Sequence, residues 1–378
     1  MIRSALMRMA KASYIGSALL LLLSCHACAS PQPAYRAGTV EHGKLSQVDG
    51  FWVMELDGSP AERGKAAGLL VGEQVRWLLP RYLKKVASAP KLSPAQKERV
   101  AALAAEIPRP HFEQVSAYAE AAGVDRTTLF AINMAPEVLA AFACSCMATT
   151  AERSSDGKVR LARNLDWLGG ELLAAAGLVV IESGGNHRFA SFGWPGMVGV
   201  ATGMNDAGVA VADLVALHTG GSRQPQPGVP VLLAVRSMLE AAGSVEEALA
   251  WLEAARRTMP QNYALADGHD VRVVETSATR FQVRPAPAGL AVITNFWNEP
   301  RGGARDGRYA RMLKAAGDGK LGPAELQRIL AGAALREMNI QSVILEPETR
   351  KAYVAHGKPP VAAGAWRTLE LGTWLGKR

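Results

Sequence analysis

The sequence predicts an α+β fold, and three observations carry that reading. After residue 143, β-prone and helical runs come in blocks: strands, two helices, strands, two helices, strands. Two hairpin signals sit between β-prone runs, Ser154-Ser155-Asp156-Gly157-Lys158 and Ser183-Gly184-Gly185-Asn186. Ser59-Pro60-Ala61-Glu62 and Ser93-Pro94-Ala95-Gln96 each join a capping box to proline at the first helical position. That order suits two antiparallel sheets covered by helices.

Taken in order, residues 1–29 read as a signal peptide. Arg3, Arg8 and Lys11 precede an apolar run, Ile15 to Leu23, that is short for a bilayer span. Two exits are open. Ala27-Cys28-Ala29 fits the small-x-small rule, and Leu22-Leu23-Ser24-Cys25 resembles a lipoprotein leader in which Cys25 would be lipidated. Residues 30–47, polar and Pro/Gly-containing, are expected to be a tether. Residues 48–143 read as mostly helical after one strand, Phe51 to Leu56; helices are expected from Ser59, from Ser93 to Ile107, from Pro110 to Ala122 and from Thr127 to Leu139. Gly64, Gly68 and Gly72 in the first of these imply close packing against a neighbour.

In the remainder, 144–378, Leu178 to Glu182 and His187 to Phe192 form one hairpin, and Asn205-Asp206-Ala207-Gly208 turns into the strand Val209 to Leu214. Trp194 reads as a packed turn residue in a loop that could also form a pocket lip. Helices are expected at Val231 to Ala242 and Val245 to Arg256. Strands follow at Tyr263 to Ala266, Val271 to Glu275, Phe281 to Arg284 and Leu290 to Thr294. Two helices, about 308–316 and 323–331, and a hairpin of Ser342–Leu345 with Ala352–Ala355 nearly close the chain.

Net charge is +8 over 378 residues, and the three basic residues of 1–29 leave +5 without that segment. No long basic run or aromatic platform appears, so nucleic acid is not implied as a partner. The seven histidines are scattered without His-x-x-x-His or Cys-x-x-Cys spacing, which argues against metal. No dinucleotide fingerprint and no Gly-x-Ser-x-Gly elbow occur, and no cofactor is expected. Beyond the leader only Cys144 and Cys146 remain, two residues apart on one strand. That spacing disfavours a disulfide. A free thiol in an exported protein calls for a chemical explanation.

Cys144-Ser145-Cys146-Met147-Ala148-Thr149-Thr150 reads as a strand. The Asp156-Gly157 turn leads to a second strand, Val159 to Ala162, which delivers Arg163 and Asp166 to the end of the sheet where Cys144 sits. A thiol needs a nearby cation and a base or orienting group to act as a nucleophile at neutral pH. Taken singly, a buried Cys and a surface ion pair are the plainer interpretations.

The run from Cys144 to Asp166 resembles the N-terminal-nucleophile hydrolases of the penicillin acyltransferase (peptidase C45), acid ceramidase and choloylglycine hydrolase group. In that group Cys followed by small residues opens the catalytic strand and a hairpin ends in Arg-Asn-x-Asp. Cys144-Ser145-Cys146 and Arg163-Asn164-Leu165-Asp166 match these elements, and Cys146 departs from the commoner Ser. Thr294-Asn295 and Arg308, thirteen residues on, stand where the group has an oxyanion Asn and a functional Arg. Val215 stands where some choloylglycine-type members carry a further oxyanion Asn. Residues 48–143 resemble the pro-region and α-subunit of the acid ceramidase and penicillin acyltransferase relatives, and 144–378 their catalytic β-subunit. The fold implied is a four-layer αββα sandwich.

The resemblance implies an enzyme that cuts itself between Ala143 and Cys144. The freed Cys144 α-amine would then serve as general base for its own thiol. Asp166 would orient that amine, Arg163 lower the thiol pKa or bind the leaving group, Asn295 hold the oxyanion and Arg308 brace the site or meet substrate. Cys146 is the rival nucleophile, expected to pack beneath the site. The implied substrate is a small-molecule, linear non-peptide amide with an acyl group, cleaved by hydrolysis or acyl transfer. The implied protein partner is the chain's own N-terminal fragment. The protein is expected to be exported, periplasmic or held at a bacterial membrane only through a lipid on Cys25. Two alternatives are an exported or lipid-anchored non-catalytic binding protein that keeps the fold, and a thiol redox sensor using Cys144 and Cys146.

Overall fold

Strand formation begins inside the segment read as a tether. In the computed structural model, β1 (Gly38–Val40) and β2 (Gly43–Val48) form a hairpin that pairs with β3 (Phe51–Leu56). Leu45 of β2 is buried, and β2 pairs on both sides, with β1 and β3, so this stretch is part of the sheet rather than a solvated linker. The structure describes residues 30–139, 142–216, 224–298 and 306–376. The expected signal peptide, its Ala27-Cys28-Ala29 cut and Cys25 lie outside them. Residues 35–378 constitute one compact unit.

Both capping boxes are formed. Ser59 opens α1 (Pro60–Ala87) and Ser93 opens α2 (Pro94–Ala104), each with reciprocal bonds to the third helical residue. α1 packs on α3 (Arg109–Ala122) through its glycines. A Cβ at Gly64 would lie 2.2 Å from the Gln114 carbonyl oxygen, so the two backbones could not approach as they do. The single helix expected over 127–139 is broken at Met134 into α4 (Arg126–Asn133) and α5 (Ala135–Val138). Pro136 has no N–H to continue the ladder.

The strand carrying the two thiols is β4 (Phe142–Thr149). It pairs with β5 (Arg160–Trp167), which is longer than the Val159–Ala162 segment expected and contains Arg163 and Asp166. The chain continues through α6 (Glu171–Ala175), β6 (Leu178–Gly184), β7 (His187–Gly193), β8 (Thr202–Asn205) and β9 (Ala210–Val215). Then come α7 (Val231–Ala241), α8 (Val245–Ala254), β10 (Gln261–Ala266), β11 (Val271–Thr276), β12 (Phe281–Arg284) and β13 (Leu290–Ile293). It closes with α9 (Gly307–Ala316), α10 (Pro323–Ala333), β14 (Asn339–Glu346), β15 (Lys351–His356), β16 (Ala365–Glu370) and α11 (Gly372–Leu375). β8 and β16 were not expected.

Two sheets result. One runs β1-β2-β3-β6-β7-β8-β9-β10-β11-β12 and the other β13-β4-β5-β14-β15-β16. β4 and β5 face β9 and β10 across the interior. α7 and α8 cover the outer face of the larger sheet through Val235, Met238, Leu239 and Leu252 against Val211, Tyr263 and Leu265. α9 and α10 cover the smaller sheet through Met312, Leu326, Ile329 and Leu330 against Met147, Ala162 and Val292. This is the predicted four-layer αββα sandwich. Because β3 pairs in parallel with β6, residues before Cys144 supply three strands to the larger sheet.

Candidate active site

Register decides what each residue of the β4–β5 hairpin can touch. Cys144 pairs with Leu165, Cys146 with Arg163, Ala143 with Asp166 and Ser145 with Asn164. Alternation sends Cys144, Cys146, Leu165 and Arg163 into the space between the sheets, and Ser145, Asn164 and Asp166 toward α10. Asn164 accordingly donates to the Leu330 carbonyl of α10 at 2.8 Å.

The two thiols are free and buried. Arg163 Nη2 stands 3.2 Å from Cys144 Sγ. The same guanidinium donates to the carbonyls of Ala201 (2.8 Å) and Asp213 (2.7 Å), to Thr202 Oγ1, and reaches Asp213 Oδ1 at 3.5 Å. Asp213 Oδ2 in turn accepts from Gln261 Nε2 at 3.1 Å. Burial pushes the Cys144 thiol up to about 11 even though Arg163 favours the thiolate, and pushes Cys146 to about 12. In the uncut chain, desolvation therefore outweighs the guanidinium, against the expectation of a lowered thiol pKa.

The main chain of Cys144 is fixed on both sides. β13 ends at Ile293, paired with Cys146. Beyond it the side chain of Asn295 takes over the ladder, and its Oδ1 accepts the Cys144 N–H at 2.7 Å. Asn295 Nδ2 donates to the Val215 carbonyl at 2.8 Å. Arg308, on the first turn of α9, donates from Nη1 to the Cys144 carbonyl (3.2 Å) and from Nη2 to Asn295 Oδ1 (2.9 Å). Asp306, the N-cap of α9, holds the Arg308 fork at 2.7 and 3.2 Å.

Asp166 is fully buried on the other face of the sheet. It accepts from the Leu335 N–H (3.2 Å), Asn339 Nδ2 (3.1 Å) and Arg308 Nη1 (3.5 Å). Burial raises its pKa to about 6, opposed by these donors. In the uncut chain the Cys144 N–H thus belongs to Asn295, and Asp166 meets the Cys144 main chain through Arg308. The five expected residues Cys144, Arg163, Asp166, Asn295 and Arg308 converge. Asp213 was missed. Its signal was a lone carboxylate in the apolar run Val209 to Val215, and burial raises its pKa to about 6 as well.

Aromatic rings pack at the start of β4 and the end of β5. Phe142 stands edge-on to Trp167, centroids 3.9 Å apart, and Trp167 meets Trp194 at 4.9 Å. Trp167 Nε1 donates to Tyr82 Oη at 2.6 Å. Trp194 is therefore a packed residue and not a pocket lip. A cavity of about 460 Å³ is lined by Phe51, Trp52, Phe192, Ile340, Gln341 and His356, among others. Gln341 pairs with Leu165, the register partner of Cys144, so the cavity and the thiol share one row of the smaller sheet. Among the described residues no group of His, Cys, Asp and Glu could hold a metal ion.

Residues 153–309 match the family model of acyl-coenzyme A:6-aminopenicillanic acid acyl-transferase, in line with the resemblance read from the hairpin. An uncharacterized protein of Archaeoglobus fulgidus is 26% identical over 272 residues, 62% of this chain and 45% of that one. Protein dcd1B of Dictyostelium discoideum is 25% identical over 248 residues, 58% of this chain and 49% of that one. The chain thus spans about half the length of these curated relatives. Among solved structures, a Caenorhabditis elegans ortholog of N-acylethanolamine-hydrolyzing acid amidase is similar with a TM-score of 0.44 and 19% identity, covering 54% of this chain and 93% of that one.

Proposed function

We propose, on the premise that residues 153–309 carry the sequence pattern of the penicillin acyltransferase family, that this protein is a cysteine N-terminal-nucleophile amide hydrolase or acyltransferase that activates itself by cutting between Ala143 and Cys144. One observation carries the reading. The Cys144 thiol faces the Arg163 guanidinium while its own main-chain N–H and C=O are held by Asn295 and Arg308. Any buried strand residue needs partners for its N–H and C=O, but one that merely fills the core needs no guanidinium on its side chain.

In the self-cleavage step the Cys144 thiol gives up its proton and the sulfur attacks the Ala143 carbonyl carbon. The tetrahedral adduct expels the Cys144 nitrogen, which takes a proton and becomes a free amine. The resulting thioester between Ala143 and Sγ is hydrolysed by water, leaving an Ala143 carboxylate and a free thiol. The new α-amine, with an ordinary pKa near 8, can take the thiol proton at neutral pH.

In turnover the sulfur attacks the carbonyl of an N-acyl compound. Asn295 Nδ2 has a second N–H beyond the one given to Val215, and it stabilises the oxyanion. The amine leaves with a proton, and water or a second amine resolves the acyl-enzyme. Asp213 acts by fixing Arg163, and Arg308 ties the Cys144 carbonyl to Asn295 and Asp166. The substrate is a small linear amide, the protein partner is the chain's own N-terminal fragment, and residues 1–29 direct export. A second reading, a non-catalytic binding protein, is favoured only by the closure of the site, where Cys144 is 2% exposed.

The test is turnover of a panel of N-acyl amines, N-acyl amino acids and penicillin side-chain amides by wild-type and Cys144→Ala protein, read as amine released. Release by the wild type alone supports the reading. Equal release by both proteins contradicts it, as does no release from any amide by wild-type chain already cut at Cys144.

A further inference from the structure

The α4–α5 segment, which runs toward the cut, carries two buried polar side chains that bond to main chain far beyond it. Asn133 Oδ1 accepts the N–H groups of Val198 (2.6 Å) and Gly199 (2.8 Å), and its Nδ2 donates to the Gly196 carbonyl at 2.9 Å. Glu137, 2% exposed, lies six residues before Ala143. Its Oε1 accepts the Val231 N–H at 2.7 Å and the Thr258 hydroxyl at 2.8 Å. Its Oε2 has no partner.

Val231 is the first residue of α7, so Glu137 occupies the anion-favouring end of a helix on the other side of the cut. Thr258 lies three residues before Gln261, which holds Asp213 and through it Arg163. One carboxyl group thus ties α5, six residues before Ala143, to the elements that hold the guanidinium on the thiol. A local structural role does not require this. α5 is one turn long, and the bonds of Glu137 to Val231 and Thr258 reach 94 and 121 residues along the chain.

We propose that Glu137 is a positioning residue for self-cleavage: by bonding Val231 and Thr258 it pins α5 ahead of the cut, so that the scissile carbonyl of Ala143 stays within reach of the Cys144 sulfur. The inference rests on the self-cleavage reading above. An attack of this kind needs the reacting atoms about 3–3.5 Å apart, and a misplacement of about 1 Å can cost about 100-fold in rate. What positions is the accepting Oε1, not the negative charge. A neutral amide oxygen in the same place should therefore serve.

The experiment follows the appearance of the fragment beginning at Cys144, by denaturing mass spectrometry of the full chain, in wild type, Glu137→Gln, Glu137→Ala and Thr258→Val. Melting temperatures are measured for each in a Cys144→Ala background, and cleavage is assayed well below all of them. Glu137→Gln should cut within about threefold of wild type, Glu137→Ala at least about tenfold slower, and Thr258→Val between the two. Glu137→Ala cutting at the wild-type rate overturns the proposal. So does Glu137→Gln as slow as Glu137→Ala, which would give the carboxyl a proton-transfer role. If Glu137→Ala does not fold, Thr258→Val cutting at the wild-type rate overturns it. A wild-type chain that never cuts removes the self-cleavage reading and this proposal with it, an outcome distinct from normal cleavage by the variants.

Discussion

Arg163 pairs in register with Cys146, yet its guanidinium passes that partner and ends 3.2 Å from the sulfur of Cys144. Its other bonds explain the reach. The carbonyls of Ala201, just before β8, and of Asp213 on β9 draw the fork across the interior, and the Asp213 carboxylate supplies the counter-charge. The guanidinium is thus a rivet between the sheets as well as a partner of the thiol.

Removing that cation should expose both roles. Arg163→Leu leaves the buried Asp213 carboxylate unpaired, and breaking a buried ion pair from one side costs about 3–5 kcal/mol. Urea unfolding in a Cys144→Ala background measures this. Cleavage in the variant with Cys144 intact should fall by about 100-fold or more, in line with the loss of a charged partner of the reacting atom. Arg163→Lys should recover part of the stability and little of the rate, because an ammonium has three N–H donors and cannot serve the five acceptors that the planar fork reaches.

Asn295 is asked to hold the ladder and the oxyanion together. Asn295→Ala leaves the Cys144 N–H and the Val215 carbonyl buried without this partner. A stability loss of about 1–3 kcal/mol is expected for each group orphaned. Turnover by whatever fraction is cut should fall about 100- to 1000-fold, the typical loss for one oxyanion donor. A turnover number unchanged per cut molecule would limit Asn295 to a structural part.

Cys146 is predicted to be a spectator. It is fully buried, faces the interior beside Arg163, and its thiol donates only a long contact to the Met147 carbonyl, 3.7 Å. Cys146→Ala should cut within about threefold of wild type, because the variant keeps the β4 register and every bond to Cys144. Failure of Cys146→Ala to cut, with a normal melting temperature, would transfer the nucleophile to Cys146.

Much of this was legible beforehand, and the failures have physical causes. The Asp156-Gly157 turn placed Cys144, Arg163 and Asp166 at one end of one sheet, and both Ser-Pro boxes opened helices. Which face Asp166 occupies was not legible. The connection contains a 3₁₀ turn at Ala151–Arg153, so loop length alone could not set the register, and one residue of slip exchanges the faces. Asp213 and Glu137 escaped because each is a single acid in an apolar or short helical run. What makes each functional is a partner far away in sequence. The raised thiol pKa was equally invisible, since it comes from tertiary burial.

Glu137 also gives a pH signature. Burial raises its pKa to about 7, with the Val231 N–H and Thr258 hydroxyl opposing. An unfolded Glu titrates near 4.3. The folded chain therefore binds the proton more tightly, and stability from this group is present below about pH 4 and lost as pH rises to about 7. Glu137→Gln, which cannot ionise, should be more stable than its parent by up to about 3 kcal/mol at pH 8 and equal to it near pH 4, both in a Cys144→Ala background. Melting temperatures at the two pH values test this. A gap of the same size at both would assign the effect to packing.

The most direct test of the central claim is the intact mass, under denaturing conditions, of the wild-type chain beside Cys144→Ala. Self-activation predicts two fragments from the wild type, the larger beginning at Cys144, and one uncut chain from the variant. A wild-type chain that stays whole, or a Cys144→Ala chain that is cut at the same bond, would contradict it.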